Sequence, residues 1–108
     1  MVDTAIITGV KNYLKAISNA GISIECGVIF GSYTCGSATS LSDIDVLVIS
    51  PDFDGVVPRE ILQTLWRIAA KTDSRIEPIP CGQRQGENDH SNEIIETARS
   101  TGQKVFVN

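Results

Sequence analysis

The sequence has little from which a covalent or metal framework could be built. Its 108 residues include three cysteines and one histidine. Cys26, Cys35 and Cys81 form an odd set with no Cys-x-x-Cys spacing and no neighbouring histidine, which argues against a disulfide scaffold or a structural zinc site. Long apolar runs are missing as well. The first twenty residues carry Asp3, Lys11 and Lys15 in an amphipathic pattern, and no later stretch approaches the roughly 20 apolar residues of a membrane-spanning helix. Positive charge is also in short supply. Nine Lys and Arg stand against 13 Asp and Glu, a net charge of −4, so the chain lacks the positive field that gathers nucleic acid through counterion release. A cytoplasmic protein with no membrane or strong nucleic-acid partner is expected.

What is present is an ordinary globular composition, 42% hydrophobic and 20% charged, in a length suited to one hydrophobic core. One domain over residues 1–108 is expected. Apolar residues at Ile6, Val10, Leu14 and Ile17 recur with helical spacing, which predicts a helix over 4–20 with Asp3 as its N-cap and Gly21 beyond its end. Residues 22–30 are rich in Ile and Val and predict a strand that stops at Gly31. Residues 32–42 are nearly all small and hydroxylated, a loop. A second strand, apolar on both faces as a central strand is, follows over 44–50 and is stopped by Pro51. Ile61, Leu62, Leu65, Trp66, Ile68 and Ala69 trace a helical stripe over 58–71, with Pro58 at the first helical position and Trp66 in the core.

The third strand, over 74–80, contains Pro78, which restricts it to a sheet edge or a break in the ladder, with one-sided pairing. A polar loop from Gly82 to His90, a helix over about 91–100 and a short strand over 104–107 complete the order. The fold class this predicts is an α/β (α+β) sandwich, a small mixed sheet with helices packed on it.

The chemistry concentrates around two acids. Asp43 and Asp45 stand two apart at the start of a strand, so alternation puts both carboxylates on one face. Such like charges raise each other's pKa unless a cation neutralises them, and hard oxygen donors favour Mg²⁺ or Mn²⁺. Taken alone, Asp-x-Asp also suits an exposed turn. The Gly31-Ser32 turn at the end of the preceding strand adds the second feature, because adjacent strands deliver turn and acids to the same end of the sheet. Gly31 lets the backbone approach an anion closely and Ser32 adds a hydroxyl donor, a combination suited to a triphosphate. Glu77 in Arg75-Ile76-Glu77-Pro78 offers a third carboxylate, although by itself it reads equally as an ordinary edge glutamate. Three acids, two divalent ions and a phosphate-holding turn make up the machinery of in-line nucleotidyl transfer, with Glu77 a candidate acceptor of the attacking hydroxyl's proton.

The run GVIFGSYTCGSATSLSDIDVLVIS resembles the signature of the DNA polymerase beta-like nucleotidyltransferase superfamily: Gly-Ser, an intervening loop, then Asp-hydrophobic-Asp on a strand. The resemblance extends to Arg75-Ile76-Glu77-Pro78 and to the closing helix, Gly102 and final strand, and so covers most of the chain. It implies a palm-like fold, nucleotide binding by Gly31, Ser32 and Ser42, and Asp43, Asp45 and Glu77 as catalytic metal ligands. It further implies two Mg²⁺ ions, with Mn²⁺ as a substitute, and ATP as substrate. Chains of this size resemble the minimal nucleotidyltransferases encoded beside HEPN-domain partners, some of which adenylylate and silence a toxin ribonuclease. An antitoxin role is implied by that analogy, and self-association is left open.

This chain departs from the pattern at Cys35, where many relatives carry a basic residue, which implies weaker nucleotide binding. A competing reading of another class is a non-catalytic module that neutralises its partner by surface contact. Among the remaining residues, His90 is expected in solvent, Tyr33 packed under its loop, and Arg75 at a solvated edge rather than paired with an active-site acid.

Overall fold

The computed structural model describes residues 4–31, 43–55, 57–82 and 102–107. The first helix, α1, spans Thr4–Asn19, and its apolar positions Val10, Tyr13, Leu14 and Ile17 are all buried. It closes as the sequence predicts. Gly21 takes φ +97°, its N–H donates to the Ser18 carbonyl and that of Ile22 to the Ile17 carbonyl, a left-handed termination that glycine adopts without Cβ strain.

Strand β1 (Cys26–Phe30) is shorter than the Ile- and Val-rich run suggests. Residues 22–25 run alongside the end of the neighbouring strand, β2 (Ile44–Ser50), where only the Glu25 N–H finds a ladder-like partner, the Ile49 carbonyl. Side chains hold this segment in place of a ladder. Ser50, wholly buried, donates its hydroxyl to the Ser23 carbonyl and accepts from the Asp52 N–H, while the Ser23 N–H donates to Asp52 Oδ2. This knot fixes the exit of β2, and a single 3₁₀ turn at Pro51–Phe53 carries the chain away.

The second helix, α2, spans Arg59–Thr72. Pro58 caps it from outside with extended backbone (φ −61°, ψ 148°), one position earlier than expected, and its carbonyl accepts from the N–H groups of Ile61 and Leu62. Trp66 corrects another expectation: it is 51% exposed. Leu65 and Ala69 are the buried residues of α2, and Trp66, one residue beyond Leu65, is turned about 100° around the helix from it. The two helices are tied together by the buried Tyr13 hydroxyl, which donates to the Leu65 carbonyl at 2.9 Å.

Strand β3 spans Ile76–Gly82 and β4 spans Gln103–Val105. The sheet order is β3-β2-β1-β4; β1 runs antiparallel to both β2 and β4, and β2 pairs parallel with β3. Among the described residues, the mixed four-stranded sheet with two helices is the α+β architecture expected. β3 begins two residues later than the sequence suggests, because Ser74 and Arg75 belong to a turn in which the Ile76 N–H donates to the Asp73 carbonyl. It lies at the edge of the described sheet, as Pro78 requires. The Ile44 N–H donates to the Arg75 carbonyl, so by alternation Glu77, Ile79 and Cys81 turn their backbone groups toward β2 while Pro78 and Pro80 face outward, where no donor is needed.

The sheet has two apolar faces. Ile29, Ile44, Val46, Val48 and Ile76 join α1 and α2 in the main core. Cys26, Val28, Phe30, Leu47, Ile49 and Cys81 are buried on the opposite face. Cys26 and Cys81 are free thiols. The expected helix over 91–100 and most of the loop after Gly82, with His90, lie outside the described residues. Truncating Leu65 to Ala removes a fully buried side chain and is expected to cost about 2–5 kcal/mol, whereas Trp66→Ala should cost about 1 kcal/mol or less. Urea denaturation of the two variants beside the parent measures the difference.

Candidate active site

The starts of β2 and β3 bring the acids together, beside the end of β1. Asp43 is exposed and immediately precedes β2, and Asp45, half-buried, is its second residue. In the sheet register Asp45 stands opposite Phe30 of β1 on one side and Glu77 of β3 on the other. Residues facing each other across a ladder point to the same face. Asp45 and Glu77 therefore share the face of Leu47 and Ile49, away from α1 and α2.

Gly31 lies directly after β1, so the end of β1 and the start of β2 arrive at one place. Its φ of +79° is a backbone conformation that favours glycine. A second constraint was not visible in the sequence: a Cβ on Gly31 would run into the Asp45 carboxylate. The aspartate occupies the space where a side chain would be. Of the other residues singled out from the sequence, Ser32, Tyr33, Cys35 and Ser42 lie outside the described residues. Gly31, Asp43, Asp45 and Glu77 are brought together.

The electrostatics follow from the crowding. Glu77 is pushed above its ordinary value of 4.5, chiefly by burial, then by hydrogen bonding with Asp45, the negative charges of Asp43 and Asp45, and hydrogen bonding with Asp43. The three carboxyls are thus close enough for the aspartates to raise the proton affinity of Glu77. The start of β3 is held rigidly beneath it. Arg75 donates its backbone N–H and its Nε–H to Asp73 Oδ1 at 3.0 and 3.1 Å and its terminal nitrogen to Oδ2 at 2.8 Å. These bonds hold the Asp73 carboxyl below the usual carboxylate range, the Arg75 side-chain hydrogen bonds contributing most. Arg75, expected at a solvated edge, is half-buried and pairs with Asp73. The Asp-x-Arg spacing was the sequence signal for that clamp.

Hard, negatively charged oxygens gathered beside a carboxyl whose proton affinity they raise are the donor set a divalent cation neutralises. Among the described residues no group of three or more His, Cys, Asp or Glu side chains forms a ready-made metal cage. Mg²⁺ does not need one, since it is commonly bound through one or two carboxylates completed by water and substrate phosphates. The acids here fit that open form of binding.

Comparison with known proteins decides what kind of domain presents this edge. The family model described as "nucleotidyltransferase domain" matches residues 7–96. The chain belongs to that family. As a minimal nucleotidyltransferase domain it carries the Gly-Ser and Asp-x-Asp run within the matched span. Its fold is similar to that of a crystal structure of a toxin-antitoxin with AMP-PNP, at a TM-score of 0.61 and 18% identity over 91% of this chain and 73% of that one. At this identity the likeness concerns the fold. No curated protein matches the nucleotidyltransferase domain. No helix among its described residues is long and apolar enough to cross a membrane.

Two measurements test the geometry. Gly31→Ala should destabilise the domain by about 1–3 kcal/mol, from a strained φ and displacement of Asp45, read as a lowered denaturation midpoint. For Glu77, a folded-state pKa above the unfolded one means that the folded domain holds its proton longer. Without divalent cations, stability should therefore fall as pH rises from about the ordinary glutamate value through the raised one. Glu77→Gln should flatten that slope and raise the melting temperature at neutral pH, with no gain at pH values below the ordinary range.

Proposed function

We propose that this nucleotidyltransferase domain transfers a nucleoside monophosphate, AMP from ATP, to a hydroxyl on a partner protein, acting as the antitoxin half of a toxin–antitoxin pair. The observation that carries the reading is the convergence of Asp43, Asp45 and Glu77 beside the glycine that ends β1. The family supplies the reaction class, and the similar toxin-antitoxin bound to AMP-PNP supports both the adenine nucleotide and the partner. A HEPN-domain toxin is the partner to which the sequence resemblance points. We take residues 1–108 as a single catalytic domain acting in the cytoplasm.

In this reading Gly31 and Ser32 hold the triphosphate through backbone N–H groups and a hydroxyl, with Ser42 beside them. Asp43 and Asp45 hold Mg²⁺, or Mn²⁺ in its place, and Glu77 completes the set. When bound, two such ions would activate the attacking oxygen and neutralise the leaving pyrophosphate. The absence of a side chain at Gly31 leaves the space that the Asp45 carboxylate occupies. Glu77, whose proton affinity is raised, is suited to accept the proton of the acceptor hydroxyl as the bond to the α-phosphorus forms. The bond between the α-phosphorus and the bridging oxygen breaks, and pyrophosphate leaves.

Incubation with Mg²⁺, α-labelled ATP and a HEPN-type partner should label the partner. Asp45→Asn should lower the rate by about 100-fold or more, the scale for losing one charge-stabilising group, while the far-ultraviolet circular dichroism spectrum stays that of the parent. Neutralisation of the partner that persists undiminished in Asp45→Asn, without label, would instead establish a non-catalytic antitoxin acting by contact. No metal-dependent binding of any of the four nucleoside triphosphates would overturn the transfer reading.

A further inference from the structure

The sole tryptophan of the chain stands in solvent on a helix whose other side is core, and its neighbours are not those of an ordinary solvated face. Leu62, Trp66 and Ala70 follow one another at intervals of four, half-buried, exposed and exposed. This is the ridge spacing by which one helix packs against another. Beside the ridge run Arg59, Gln63 and Arg67, also at intervals of four and all exposed, with Lys71 one turn beyond. Neither arginine nor the lysine makes an ion pair among the described residues, where the salt bridge found is Arg75 with Asp73. Glu60 is the one acid on α2.

A basic helix face therefore sits on a chain whose net charge is −4. Tryptophan and arginine are the side chains that most often anchor protein interfaces, and long cations around an apolar ridge select a partner of opposite sign. The charge also discriminates among occupants. A symmetric pair of this chain would set the basic face against itself, since a twofold interface uses the same patch on both copies. Nucleic acid would meet three cations on an otherwise acidic molecule, a weak basis for counterion-driven binding.

We propose that the outer face of α2, centred on Trp66 and flanked by Arg59 and Arg67, docks an acidic amphipathic helix of a partner protein. The ridge of Leu62, Trp66 and Ala70 meets the apolar stripe of that helix, and the arginines meet carboxylates along its margin. α2 packs on the sheet face opposite Asp45 and Glu77, so the partner is held on one layer while the carboxylate edge stays open. The assignment goes beyond the transfer reading and stands whether or not the carboxylates catalyse.

Because Trp66 is the only tryptophan, its fluorescence reports on this face directly. The probe is a synthetic amphipathic helix with a leucine stripe and glutamate margins, titrated into the full chain. Its controls are the same peptide with lysine margins and a single-stranded oligonucleotide of matched charge. The acidic peptide should shift Trp66 emission to the blue, protect it from iodide quenching and bind less tightly as salt rises. Arg59→Glu combined with Arg67→Glu should weaken that binding by about tenfold or more, with the circular dichroism spectrum and Mg²⁺–ATP binding of the parent retained. Loss of Mg²⁺–ATP binding in Asp45→Asn, with peptide binding intact, would separate the two sites. An emission spectrum indifferent to the acidic peptide, an equal response to the lysine peptide, or a stronger one to the oligonucleotide would overturn the proposal. So would protection that grows with protein concentration alone, which would make a second copy the occupant.

Discussion

The parallel pairing of β2 with β3 sets Glu77 opposite Asp45, and the carboxylate edge depends on that register. Strand side chains alternate between faces, so a slip of one residue would turn Glu77 into the layer of α1 and α2 and bring Ile76 or Pro78 beside the aspartates. The register is protected by what else it places. Ile44 and Ile76 share the main core, while Leu47, Ile49 and Cys81 share the other apolar face, and a slip would expose or misplace all of them together. The Asp73–Arg75 clamp at the start of β3 and the Ser50 knot at the end of β2 fix the same pair of strands from opposite ends.

Apolar packing thus holds in place a cluster of charges that repel one another. Hydrophobic burial is non-directional and tolerant, but the sheet converts it into a defined position for each acid. The cost is local: Glu77 is half-buried beside two like charges, and its raised proton affinity records that conflict. Such conflicts gather where charge is to be neutralised by something other than the protein. The layer of α1 and α2 carries the opposite arrangement, with a core free of charge and, on the outer surface of α2, cations that make no ion pair among the described residues.

Much of this was legible along the chain because the signals were local. β2 was bounded correctly at both ends by Asp43 and Pro51, α1 by its apolar spacing and Gly21, and the edge position of β3 by Pro78. What was misread depended on neighbours distant in sequence. Residues 22–25 have the composition of a strand but lie beside the end of β2, so they have little ladder to join. Trp66 belongs to an apolar series by periodicity, but which part of that series enters the core is decided by how α2 rolls against α1, where Leu65 receives the Tyr13 hydroxyl. At the candidate site, Gly31, Asp43, Asp45 and Glu77 were each identifiable by residue type and spacing. The occupation of Gly31's missing side chain by the Asp45 carboxylate was not, since it arises from two strands meeting.

The prolines of β3 have a bearing on how an acceptor could reach the acids. An extended peptide binds a sheet edge by matching donors and acceptors along it. Along the outward side of β3 the Ile76 N–H is already given to Asp73, and Pro78 and Pro80 have none to give. That side presents carbonyls alone over five residues of strand, directly alongside Glu77. A substrate segment laid down as an additional strand would leave its own carbonyls facing carbonyls. Among the described residues the outer edge of β3 is therefore unsuited to take on a further strand.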